Sequence, residues 1–405
     1  MERGYPVLTV TKKAEQSLKN GHPWVYGEEV TGVEGKYSGG DIVDVRGQKG
    51  NYLGSGYVND ASKIRVRVIS QNANDRFDEA FYERQVKYAL DYRRQVMGDD
   101  FSCCRLVFGE ADRMPGLTVD RFGSVLVTQS LCLGTDRRKH LIFPLIVKNL
   151  REQGETVDAV FERNDVSIRT LEGMEEYKAF FKHEGLKTDL DGHVMITENG
   201  IRYDVDYING QKTGFFLDQK YNRLAVRKIA KGRRVLDCFT HTGAFALNAA
   251  MGGAESVTAV DISASAIELA KANAERNGVG MGFITADVFD LLTELYEKRS
   301  REYDFIILDP PAFTKSGATA RNAYRGYKEI NMKAMRLLPR GGYLATCSCS
   351  HFMYDDMFRQ MLSEAARDAA VTLRQIEARQ QAPDHPILPA VRETDYLKFY
   401  LFQVV

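Results

Sequence analysis

Between residues 235 and 309 four short apolar segments recur: VLDC (235–238), VTAVD (257–261), FITAD (283–287) and FIILD (305–309). Each carries an aspartate at or beside its C-terminal end, namely Asp237, Asp261, Asp287 and Asp309. Segments with helical character separate the first three: GAFALNAAMGG (243–253) and SASAIELAKANAERNG (263–278). This alternation predicts an α/β domain with a doubly wound sheet, a fold that binds ligands beyond the C-terminal ends of its strands. Gly243, where the first strand turns into a helix, lets a ligand approach the backbone. The turn is not a GxGxxG motif, which argues against a nicotinamide cofactor, and no Walker lysine follows it. Asp261 lies 24 residues after Asp237, where a carboxylate can accept from both hydroxyls of a ribose. The pattern favours a nucleoside without a polyphosphate.

The rest of the chain reads differently. Residues 1–72 contain short runs rich in β-branched and aromatic residues (VLTV, DIVDVR, NYLGSGYV, KIRVRVI), separated by glycine-containing turns. In KIRVRV the alternation puts Lys63, Arg65 and Arg67 on one face of a strand. Residues 73–190 predict a small α+β domain with antiparallel pairing. FYERQVKYALDYRRQVM and HLIFPLIVKNLRE are its helices, and AVFERND and VSIRT are among its strands. The α/β domain then covers 191–405. Lys+Arg and Asp+Glu are equal at 55 each, so an RNA-binding role would need basic residues gathered on one face. The N-terminus lacks the apolar core of a signal peptide, and no run is long enough to span a membrane. The six cysteines show no framework spacing. A reduced, cytoplasmic protein is expected.

The segment DPPAF (309–313) closes the fourth strand. Pro310 and Pro311 cannot continue a strand and fix a rigid loop that holds Asp309 at the sheet edge. Phe313 is a candidate to stack on a flat substrate, and Lys315 is a further candidate for contact with it. GGYLATCSCSHF (341–352) then places Cys347 and Cys349 at the end of a later strand. One reading is a nucleophile. Cytosine C5 is a poor nucleophile until a thiolate adds to C6, and that chemistry needs a cysteine and, near the N3 edge of the base, an acid such as Asp309. Both cysteines share a face by the period of a strand, and the longer reach from Gly-Gly favours Cys349. The competing readings are a zinc site using Cys347, Cys349 and His351, a redox pair, and buried structural thiols.

The strand-end aspartates resemble those of Rossmann-like S-adenosylmethionine (SAM)-dependent methyltransferases. That resemblance implies that Asp237, Thr242 and Gly243 surround the methionine end of SAM, that Asp261 holds the ribose, and that Asp287 and Val288 lie near the adenine. DPPAF resembles the fourth motif of nucleobase methyltransferases, although Ala312 stands where amino-methylating enzymes have an aromatic residue. Thr346-Cys347-Ser348 and Ser348-Cys349-Ser350 both resemble the nucleophile motif of RNA 5-methylpyrimidine enzymes. As a whole the chain is similar to the bacterial large-subunit (23S) ribosomal RNA cytosine-5 methyltransferase I family. The resemblance implies an N-terminal PUA-like RNA-binding barrel (1–72), a central α+β domain (73–190) and a Rossmann-like methyltransferase domain (191–405). It places NGQKTGFFLDQKYNR (209–223) over SAM, with Gln211, Thr213, Phe216, Asp218 and Gln219 as cofactor contacts. It sets Pro383, Asp384 and His385 in a loop before the last hairpin. Cys347 is a candidate to assist release of the product. The implied partner is large-subunit rRNA, with no metal and no membrane, and a homodimer is left open. Two rivals remain: an N6-adenine or N2-guanine RNA methyltransferase that would not need the thiol, and an RNA-binding ribosome assembly factor.

Overall fold

The computed structural model describes residues 3–314 and 320–405. The chain divides into two compact units built from interleaved segments. The first comprises 1–196, 204–217 and 383–394, and the second 197–203, 218–382 and 395–405.

The first unit contains two sheets. Six strands within residues 7–70 form one of them, in the order Trp24–Tyr26, Ile64–Ser70, Tyr52–Val58, Ile42–Gly47, Val7–Val10, Val30–Glu34. Its core is aliphatic, including Leu8, Val10, Leu18, Val43, Val45 and Val66. The other sheet has five strands between Cys103 and Phe180. Its pairing is not wholly antiparallel as expected: Val125–Ser130 and Ala159–Asn164 run parallel, joined through the helix Lys139–Glu152. A parallel pair needs such a crossover. VSIRT is not a strand either, because Ile168–Leu171 form a helical turn. The turn sets the buried Arg169 to donate to the carbonyls of Ser130 and Glu175 and to Asp136.

The second unit holds the seven-stranded sheet. In chain order its strands are β1 (Arg234–Cys238), β2 (Ser256–Asp261), β3 (Gly282–Thr285), β4 (Phe305–Leu308), β5 (Tyr343–Ser348), β6 (Leu373–Arg379) and β7 (Lys398–Val404). They lie side by side as β3-β2-β1-β4-β5-β7-β6. The first five are parallel, and β7 runs antiparallel to both its neighbours. The helices are α1 (Lys220–Ile229), α2 (Ala244–Met251), α3 (Ala264–Arg276), α4 (Val288–Glu297), α5 (Ala320–Leu337) and α6 (Asp355–Asp368). Both faces of the sheet are covered, so its central strands are largely apolar, with polar residues such as Asp237 toward their C-terminal ends. Along β4, Phe305 and Ile307 join the core with α1 and α2, while Ile306 and Leu308 join the core with α4, α5 and α6. The Pro383-Asp384-His385 segment falls between β6 and β7 rather than before them. Among the described residues no helix is long and apolar enough to cross a membrane.

Candidate active site

The strand order reverses between β1 and β4, which opens a crevice at their C-terminal ends. Asp237, the next-to-last residue of β1, is fully buried. One of its carboxylate oxygens accepts from the Thr240 hydroxyl (2.6 Å) and the Ala246 N–H (2.9 Å), and Oδ1 has no partner. Burial pushes this carboxyl up to about 7. The Thr240 hydrogen bond opposes the rise, and the nearby charges of Asp309 and Asp261 add to it.

The loop from β1 to α2 is strained. Phe239, His241 and Gly243 have φ of 65°, 50° and 79°, the left-handed region that a bulky side chain avoids. At Gly243 a Cβ would also come within 3.0 Å of the Ala270 Cβ on α3. The His241 N–H donates to Asp261 Oδ2 (2.9 Å), and the Ser263 N–H donates to Oδ1 (2.9 Å). Burial lowers the His241 imidazole to about 4, leaving it neutral at physiological pH. Thr242 is buried, and its carbonyl accepts from Asn273. Asp287 caps α4, accepting from the Phe289 N–H (2.7 Å), and Val288 behind it is buried. A buried carboxylate oxygen without a donor, at the point where the strand order reverses, fits a ligand carrying an ammonium group. The α-amino group of SAM is of that kind.

At the end of β4, Asp309 accepts from the Gln219 side chain (2.9 Å), which in turn is held by Asn222 (2.7 Å). Burial pushes the Asp309 carboxyl up to about 6, with Arg223 opposing and Asp218 adding to the rise. Asp218 accepts from the Tyr396 hydroxyl (2.6 Å). Strand β5 stops at Ser348, so Cys349 lies just past its end. Cys349 is partly exposed, with its sulfur 3.9 Å from the Pro310 carbonyl oxygen. The Asp-Pro-Pro loop and Cys349 are thus brought together. Cys347 is different. It is fully buried in the core with Ala345, Phe399 and Leu401. Burial pushes its thiol well above the ordinary range, the Asp309 charge pushes it further, and it hydrogen-bonds Asp309. Cys347 is thus enclosed in the core, while Cys349 stands at the open end of the strand.

Two further expected residues have partners within the protein. The half-buried Phe313 ring packs on Tyr327 (4.6 Å between centroids) and Phe289 (5.8 Å). Pro311 and Ala312 are the exposed residues of that loop, and Pro310 is buried. Arg67 is on the expected strand face, but its guanidinium pairs with Glu172 (2.7 Å) and Glu110 (3.4 Å) and lies over Trp24. Arg65 pairs with Asp60, and Lys63 is exposed. Gln211, Thr213 and Phe216 belong to the first unit. Gln211 is exposed in a turn, Thr213 is buried with its hydroxyl on Asp120 (2.6 Å), and the Lys212 ammonium sits over the Phe216 ring. Lys315 lies outside the described residues. Among the described residues no three His, Cys, Asp or Glu side chains are grouped as a metal site requires.

Sequence reasoning missed Thr240, His241, Tyr327 and Lys398. The last had a signal: it is a lone cation opening the apolar run KFYLF.

Residues 166–403 match the family described as S-adenosylmethionine-dependent methyltransferase, and residues 8–71 match a PUA-like domain. The chain is 38% identical over 405 residues to the ribosomal RNA large subunit methyltransferase I of Klebsiella pneumoniae strain 342, covering 99% of each. It is also 38% identical to the protein of that name from Shigella dysenteriae serotype 1, covering 98% of each. Among solved structures, a chain described as a SAM-dependent methyltransferase from Streptococcus mutans superposes with a TM-score of 0.82 at 22% identity, covering 98% of this chain and 100% of that one. A methyltransferase complexed with SAH superposes equally well at 21% identity, with the same coverage.

Proposed function

The chain belongs to the ribosomal RNA large subunit methyltransferase I family, SAM-dependent enzymes with a PUA-like domain, and from that premise we propose that it methylates carbon 5 of a cytosine in large-subunit rRNA. The observation that carries this reading is the approach of the Cys349 sulfur to the Pro310 carbonyl, 3.9 Å. It sets the thiol against the loop that begins at Asp309, at the C-terminal edge of the sheet.

When bound, SAM supplies the methyl group as an electrophile on its sulfonium. Asp237 would hold its ammonium end beside Thr242 and Gly243. Asp261 would hold the ribose, and Asp287 and Val288 would border the adenine. The Cys349 thiolate forms a bond to C6 of the base, and the electron pair moves to C5, where the methyl group is accepted. Asp309, whose carboxyl is raised to about 6 and is protonated in a minority of molecules at pH 7, would in that form hold its proton at N3 and draw electron density from the ring. A base, here solvent, then takes the C5 proton, the C5–C6 double bond re-forms as the sulfur leaves as thiolate, and N3 returns its proton to Asp309. The target base must leave its helix or lie in a loop for both faces of this chemistry to reach it.

Nucleoside analysis of rRNA methylated by the purified protein tests the reading. 5-Methylcytidine is expected, and N6-methyladenosine or N2-methylguanosine in its place overturns it.

The segment 1–72 is the proposed RNA-docking module. Arg67 is committed to Glu172 and Arg65 pairs with Asp60, so Lys63, exposed in the bend just before the strand Ile64–Ser70, is the residue of that segment proposed for phosphate. Lys63→Ala should raise the Michaelis constant for RNA, leave that for SAM unchanged, and lower the slope of log affinity against log salt by about 1. An unchanged salt slope would remove Lys63 from the interface.

Asp237 gives a second test. Its folded pKa is raised to about 7, above the unfolded value. The stability it contributes is therefore present at low pH and lost as pH rises through about 7. Without SAM, the wild-type melting temperature should fall between pH 5 and pH 8 more steeply than that of Asp237→Asn. The same substitution should weaken SAM binding. Parallel melting curves for the two proteins would contradict the assignment.

A further inference from the structure

Lys398 opens β7, and the antiparallel register sets it opposite Ser348, the residue before Cys349. Its side chain is almost wholly buried, with 4% of the residue exposed. Lysine is seldom buried without a counter-ion, yet among the described residues no carboxylate lies within ion-pair distance of it. Its ammonium donates instead to two backbone carbonyls, those of Ser350 (2.8 Å) and Tyr396 (2.8 Å). Ser350 is the residue after Cys349. The cation is therefore anchored by the strand on one side of the cysteine and by its backbone on the other. An ammonium has three donors, and two are used.

We propose that Lys398 is a positioning residue for the reaction, an ammonium buried beside Cys349 that keeps its sulfur in the ionised, attacking form. The proposal rests on Cys349 being the attacking group. A free thiol has a pKa near 8.5 and is a few per cent thiolate at pH 7. A neighbouring cation in a poorly hydrated site favours the thiolate, the proton passing to solvent, and each unit by which the thiol pKa falls raises the thiolate fraction about tenfold. The thiolate charge in turn favours the ammonium. Burial lowers Lys398 to about 8, while Asp395, Cys349 and Asp355 all pull it back up, so it is mostly charged at pH 7.

Among the described residues the other cations near this strand end act on other groups, Arg223 on Asp309 and Arg359 on Tyr400, and the remaining groups facing it carry no positive charge. Tyr327 on α5 shares a hydrogen bond with the Ser350 hydroxyl (2.9 Å), and burial pushes its phenol up to about 12. Cys347 is a buried neutral thiol and Asp309 an acid. Asp355 and Asp395 are carboxylates, and Asp355 accepts from the Tyr400 hydroxyl (2.5 Å). His351 on the loop after Cys349 is exposed beside Tyr396.

The test follows the thiol itself, in the full-length protein without RNA. Alkylation of Cys349 by iodoacetamide is measured by peptide mass spectrometry from pH 6 to pH 10 for the wild type and for Lys398→Met, Lys398→Gln and Lys398→Arg. Glutamine can still donate to the carbonyls but carries no charge, which separates the charge from the anchoring of the strand end. Met and Gln should lower the rate at pH 7 about tenfold, and the difference should vanish near pH 10. Arg should keep a rate within about threefold of the wild type. A Lys398→Gln protein with the wild-type pH profile overturns the proposal. If Cys349→Ser still methylates RNA, the nucleophile assignment fails instead. If Cys349→Ser is inactive and the alkylation profiles coincide, only the role of Lys398 fails.

Discussion

Replacing Cys349 by serine is expected to abolish methyl transfer, by about 10³-fold or more, with SAM affinity unchanged. A hydroxyl in this position has nothing to ionise it and is a far weaker nucleophile toward a pyrimidine C6. The same assignment predicts a covalent trap. RNA with 5-fluorocytidine at the target position takes up the methyl group but cannot lose fluorine as a proton, so the thioether to C6 persists through denaturing electrophoresis. Peptide mapping should place the RNA on Cys349. Cys347→Ser should trap no ordinary RNA and should keep the Cys349 adduct on the fluorinated RNA, because that thiol is enclosed by Ala345, Phe399 and Leu401. Methylation of ordinary RNA with no adduct on the fluorinated RNA would leave the amino-methylating reaction as the better account.

Asp309→Asn should cost about 10²- to 10³-fold in kcat, within the range of general acid catalysis. An amide can still donate a hydrogen bond to N3 but has no proton to share. The pH profile carries the sharper information. In the wild type, where Asp309 is raised to about 6 by burial and titrates below the thiol, the rate should rise to about pH 6, stay level, and fall once Cys349 is fully ionised and Asp309 continues to lose its proton. The falling limb should disappear in the asparagine variant. If that limb survives with the same midpoint, the acid is another group.

The parts of the site that could be read in advance are those set by strand periodicity. Asp237, Asp261 and Asp309 follow apolar runs, and a run of that kind in a two-sided sheet ends at the crevice wherever the helices pack. Asp287 followed the same rule, and its carboxylate is bonded to the N-terminus of α4. What could not be read depends on residues far apart in the chain. Lys398 meets Ser348 through the pairing of β5 and β7, which no local pattern announces. Arg67 was placed on the correct face, but its partners Glu110 and Glu172 come from another sheet's connections. Phe313 follows two prolines, where no helix or strand period governs the side chain, and a hydrophobic pocket between Tyr327 and Phe289 claims it. VSIRT has β-branched residues enough for a strand, but five hydrogen-bonding atoms on Arg169 are better satisfied from a helical turn.

The interleaving of the two units bears on how such an enzyme can evolve and be taken apart. A cut near residue 190 looks natural from the sequence, yet it would strip the first unit of 204–217 and 383–394. Thr213 would no longer donate to Asp120, and Asp384 would no longer accept from the Arg105 N–H (2.8 Å), nor its carbonyl from Arg93 (3.0 Å). Asp120 would keep Arg105 and Arg93 would keep Asp112, but each would lose a buried hydrogen bond, and lost buried hydrogen bonds destabilise a fold. A single crossover near residue 190 therefore leaves the second unit whole but divides the first, so the two cannot be exchanged as separate cassettes at that point.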